Sequence, residues 1–89
     1  MIEKVVKIEN KLGLHARPAS LFVKTAGQFE CDIKIIKDDV EVNGKSIMGV
    51  MMLAAEKGSE ITIKADGVDE KEAIDSLVKL IIVRKFDEE

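Results

Sequence analysis

The chain opens on an alternation. Between residues 2 and 8, Ile2, Lys4, Val6 and Ile8 fall on one side and Glu3, Val5 and Lys7 on the other. A period of two predicts a strand. After the turn "NKLG", Ala19, Phe22, Val23 and Ala26 recur at helical spacing as far as Gly27. Pro18 sits in that helix's first turn, where a missing N–H costs least. Cys31, Ile33 and Ile35 then alternate with polar residues, as do Val40 and Val42, and "KDD" between them predicts a hairpin. Asn43-Gly44 closes it, and Ser46 stands as N-cap of a short helix carrying Ile47, Met48, Val50, Met51 and Met52, which Lys57-Gly58 ends. Ile61, Ile63 and Ala65 predict a fourth strand, turned by Asp66-Gly67. The last helix has Asp69 as its expected cap and Glu72 three residues on, as in a capping box. Its apolar stripe is Ile74, Leu77, Val78 and Ile81. The order β-α-β-β-α-β-α predicts an α+β architecture, a largely antiparallel sheet with helices on one face.

No linker, repeat or low-complexity run interrupts the 89 residues, so one domain spanning 1–89 is expected. Charge narrows the partners. A net charge of −3 argues against direct nucleic-acid binding, which needs a basic face. No apolar run reaches the roughly 18 residues a span requires, so no membrane insertion is expected. The first ten residues, "MIEKVVKIEN", lack an apolar signal core, and the lone Cys31 cannot form an internal disulfide. Both predict a cytoplasmic protein. Cys31 is expected to be a small, partly buried apolar side chain rather than a reactive thiol.

Candidate chemistry is sparse. "NGKS" at 43–46 is no phosphate-binding loop, because the glycine required five residues before Gly44 is Asp39. No His/Cys/Asp/Glu cluster has metal-ligand spacing, so neither metal nor cofactor is expected. In a helix this short, Ile47, Met48, Met51 and Met52 cannot all share one buried face. Core and docking surface remain equally open for them. The one histidine, His15, lies in "GLHARP" at the start of a helix, where free amides and the positive helix end favour anions. Arg17 adds a permanent, forked cation. A neutral imidazole is a nucleophile, and one placed where a dianion is welcomed could carry phosphate. On that motif alone a solvated capping histidine is the simpler account.

A second motif changes the balance. "GLHARPAS" at 13–20 together with "KSIMGVMMLAAEKG" at 45–58 resembles HPr, the family of histidine-containing phosphocarriers of the bacterial phosphoenolpyruvate:sugar phosphotransferase system. The likeness covers essentially the whole chain, element order and acidic end included. It implies an open-faced β-sandwich, with a four-stranded antiparallel sheet covered on one face by three helices. It also implies that Nδ1 of His15 accepts a phosphoryl group from phosphorylated enzyme I and passes it to enzyme IIA domains, a relay protein rather than a stand-alone enzyme. Arg17 matches the family's phosphate-assisting arginine, and the backbone amides of Ala16 and Arg17 its phosphate cradle. Ser46 matches a regulatory serine phosphorylated by a dedicated HPr kinase/phosphorylase, and Ile47, Met48 and Met51 match the docking patch beside it. A catabolite-control transcription regulator is a further implied partner. The alternative is a regulatory binding module acting mainly through Ser46 phosphorylation and that regulator. Relatives that keep only regulation have lost the histidine, so His15 favours the carrier. One position departs from the family's pattern: three residues before the histidine, where a small polar residue is usual, this chain has Leu12. Its side chain offers phosphate no hydrogen bond, whereas backbone amides there still can.

Overall fold

The structure, a computed structural model, describes residues 1–87; Glu88 and Glu89, the last of the acidic end, lie outside the described residues. Four strands form one antiparallel sheet in the order β1-β4-β2-β3, with β1 at Ile2–Lys7, β2 at Asp32–Lys37, β3 at Val40–Asn43 and β4 at Glu60–Asp66. Register follows the alternation. Val6 pairs with Ile61 and Ile33 with Ala65, all buried, while Val5, Thr62 and Ile36 form a row on the opposite, open face. The β2–β3 hairpin turns on Asp38 and Asp39, both left-handed at φ 48° and 69°, which aspartate tolerates better than most residues.

Three helices cover the buried face: α1 at Ala16–Ala26, α2 at Ile47–Met52 and α3 at Glu70–Val78. The expected open-faced β-sandwich is the observed one. From α1, Ala19, Phe22 and Ala26 enter the core; from α3, Ala73, Ile74 and Leu77 do, with Val78 half-buried. Beyond Val78 the backbone widens into a π-helical stretch, Lys79–Val83. From that stretch Leu80 and Ile81 both reach the core.

The start of α3 corrects one expectation. Asp69 occupies the N-cap position but makes no side-chain bond to its own helix. Its two carboxylate oxygens instead accept from the Glu30 and Cys31 amides at 2.8 and 2.9 Å, tying α3 to the entrance of β2. Nor does Glu72 close a capping box. Glu70 Oε1 takes the Gly67 amide at 3.1 Å in that role. The sequence shows which residues can cap, but not that a pair of strand-entry amides competes for the same carboxylate.

The bonds to Glu30 and then Cys31 hold the Asp69 carboxyl below its ordinary range. Its contribution to stability is therefore complete above the unfolded value near 4 and is lost as pH falls through the lower folded value. Asp69→Asn, which can accept only one of the two bonds well, is expected to melt a few degrees lower at pH 7. It should also lose part of the wild-type decline below about pH 4, and melting curves across that range test both. Burial, followed by the Asp69 contact, pushes the Cys31 thiol up to about 11, so it stays protonated and inert as expected.

Candidate functional site

The segment ahead of α1 is fixed by backbone, not by bulk. Gly13 is left-handed at φ 72°, and a Cβ placed there would meet the Ala55 carbonyl oxygen at 2.4 Å. Only glycine allows this approach. One residue on, the Leu14 amide donates to that same Ala55 oxygen at 2.8 Å, and buried Asn10 donates through Nδ2 to the Gly13 carbonyl at 2.9 Å. With Leu14 buried in the core, His15 is presented outward at a defined point, its side chain exposed.

His15 is the N-cap residue of α1, extended at φ −100° and ψ −163°, and its side chain caps nothing. A capping histidine is therefore not the explanation for its place. The first turn of α1 contains no acidic residue, so the positive helix end is uncompensated from within the helix. The first amides there lack intrahelical acceptors by geometry. Beside them lies a shallow depression of about 70 Å3 lined by Leu12, His15, Arg17, Pro18 and Phe86. His15 and Arg17 thus share one opening with a helix N-terminus.

Phe86 is the member of this site that the sequence reading left without a role. The chain turns sharply at Lys85, Phe86 and Asp87, all left-handed with φ of 48°, 57° and 56°. Such backbone costs about 1–2 kcal/mol per residue. Full burial of Phe86 and a forked Arg84–Asp87 ion pair, Nε to Oδ1 at 3.1 Å, offset it. Arg84 above all, with Arg17 adding to it, holds the Asp87 carboxyl below its ordinary range. The tail thereby forms one wall of the His15 depression. A phenylalanine followed by "DEE" carries no periodic signal from which this could be read.

Ser46 and the apolar group stand apart from that depression, on α2, which packs against α1. The Gly44 amide donates to the Ile33 carbonyl at 2.7 Å, and Asn43 Oδ1 accepts from Lys45 at 2.9 Å, which delivers Ser46 to the helix start. As expected, Ser46 caps α2, its Oγ accepting from the Gly49 amide at 3.2 Å. Only Val50 of α2 is buried. Ile47 and Met51 are 41% exposed, Met48 72% and Met52 75%, which closes the question between core and surface. Four large apolar side chains of one short helix are thus left in water. Among the described residues no cluster could hold a metal, and no helix is long and apolar enough to cross a membrane.

Comparison with known proteins decides the family. The family described as "PTS HPr component phosphorylation site" matches residues 2–82. This chain belongs to the HPr family. It is 52% identical over 81 residues to the phosphocarrier protein HPr of Neisseria meningitidis serogroup A, covering 91% of each chain. It is also 51% identical over 81 residues, 91% of this chain and 96% of the other, to the HPr-like protein Crh of Halalkalibacterium halodurans. The crystal structure of HPr-C-His from Thermoanaerobacter tengcongensis superposes with a TM-score of 0.95 at 52% identity, over 100% of this chain and 99% of that one. The HPr fold expected from the two motifs is therefore the observed one, and with it comes the family's role as a phosphocarrier of the phosphotransferase system.

Proposed function

We propose that this member of the HPr family is a full phosphoryl carrier, a single relay domain spanning 1–89, and that His15 is the residue phosphorylated. Nδ1 of His15 attacks the phosphorus of phosphorylated enzyme I, whose own phosphate bond breaks; transfer to an enzyme IIA domain repeats the exchange with His15 as leaving group. One observation supports this reading most: an exposed imidazole, free of any capping bond, stands at an uncompensated helix N-terminus beside Arg17. A dianion arriving there meets the Ala16 and Arg17 amides and the guanidinium fork together. Incubation with enzyme I and phosphoenolpyruvate tests it. Acid-labile phosphate on the chain supports the carrier, and its absence overturns it.

Arg17 in this reading stabilises the phosphoryl group in flight. A charge-assisted bond is worth about 1.5–3 kcal/mol, so Arg17→Ala is expected to slow transfer roughly ten- to hundredfold. Because Arg17 is exposed, the fold should be unaffected. Arg17→Lys should recover only part, since a point charge does not reproduce the fork. Single-turnover labelling by phosphorylated enzyme I measures both, and a wild-type rate in Arg17→Ala would remove the residue from the site.

A regulatory role at Ser46 is favoured by its own observation, the capping hydroxyl at the head of an exposed apolar helix. Here an ATP-dependent HPr kinase/phosphorylase modifies Ser46, Ile47, Met48 and Met51 dock enzyme I and enzyme IIA domains, and a transcription regulator reads the modified form.

A further inference from the structure

β1 forms one edge of the sheet, paired with β4 on one side only. Between that edge and α3 runs a groove of about 430 Å3. Its floor is apolar, made by Ile2, Ile74, Val78 and Val83. Its rim is cationic: Lys4 on the strand faces Lys71 and Lys79 on the helical side, and Asp75 is the one carboxylate among the lining residues. A local excess of two positive charges stands out on a chain whose net charge is −3. The groove shares no lining residue with the His15 depression.

We propose that this groove is a second docking site, taking an extended segment of a partner protein that has an apolar centre flanked by carboxylates. An edge strand offers unpaired N–H and C=O groups to an incoming strand, which would lie about 4.8 Å from β1 and add main-chain bonds. The added strand's side chains on the helix side enter the groove. The apolar ones cover Ile74, Val78 and Val83, and the carboxylates at either end meet Lys4, Lys71 and Lys79. Electrostatic complementarity selects an acidic segment over a basic one. A partner held here leaves the His15 face open, so the carrier can be tethered without stopping transfer.

The probe is the heptapeptide acetyl-Glu-Glu-Val-Leu-Val-Glu-Glu-amide, which presents flanking carboxylates in either strand register. Titrated into the isotope-labelled protein, it is expected to give saturable amide shifts in Ile2–Val6 and along α3 to Val83, with those near Arg17 unmoved. The double variant K71E/K79E should keep its spectrum and its labelling by enzyme I but bind the peptide about tenfold more weakly or worse. The counterpart with four lysines in place of the glutamates should not bind. Absence of saturation, shifts centred on α1, or equal binding of the lysine peptide would each overturn the proposal. So would sedimentation showing that a second copy of the chain already covers the groove.

Discussion

His15→Ala is expected to yield a folded protein that takes up no acid-labile phosphate from enzyme I. The fold should survive because the imidazole is exposed and caps no amide, so truncation opens no cavity and orphans no partner. Surface changes of this kind stay within about 0.5 kcal/mol, a shift of only a few degrees in melting temperature. Activity should vanish because the chain has no second histidine. The loss should therefore be complete rather than graded, unlike the partial loss expected at Arg17. Labelling with phosphoenolpyruvate and enzyme I, scored beside a melting curve, separates the outcomes. Acid-labile phosphate on the variant would mean that another atom carries it, and an unfolded variant would mean that His15 is structural after all.

What could be read from the chain beforehand follows the physics of each element. Strands with one buried face announce themselves by alternation, and Val6 opposite Ile61 and Ile33 opposite Ala65 fall where that alternation puts them. Ser46 was legible because an N-cap is a local bond, three residues long, needing nothing from the rest of the fold. Asp69 has the same chemistry and went elsewhere. Its oxygens met two amides nearly forty positions away in sequence, a competition no local pattern records. Phe86 was invisible for a related reason. Its burial depends on three consecutive left-handed residues, none of them glycine, and on an Arg84–Asp87 pair that exists only once the turn is made. The exposure of Met48 and Met52 lies between these cases. Helical geometry shows that a six-residue helix cannot bury all five of its large apolar side chains, but only packing against α1 and the sheet decides which one, Val50, goes in.

Ser46→Asp is expected to fold normally and yet receive phosphate from enzyme I roughly a hundredfold more slowly at low salt. The two halves of that result come from the two sides of one residue. Toward the chain, position 46 faces the amides at the start of α2, with Gly49 N–H already bonded to its side chain. Aspartate caps a helix as well as serine does, and a negative charge at this end is favourable. Melting should therefore stay within a few degrees of wild type or rise slightly. Toward solvent, the same carboxylate stands beside exposed Ile47, Met48 and Met51. A partner covering that patch must strip water from the new charge or set it against acids of its own. Either costs a few kcal/mol, and about 2.7 kcal/mol corresponds to a hundredfold in affinity. The deficit should appear as weaker binding rather than a slower chemical step, because His15 and Arg17 lie in a separate depression that Ser46 does not line. It should also shrink as salt rises, since screening weakens repulsion between exposed charges. Initial rates of labelling against enzyme I concentration, at low and high salt, read all of this at once. A variant that unfolds, or one labelled at the wild-type rate in low salt, would take both the switch and the docking patch away from α2.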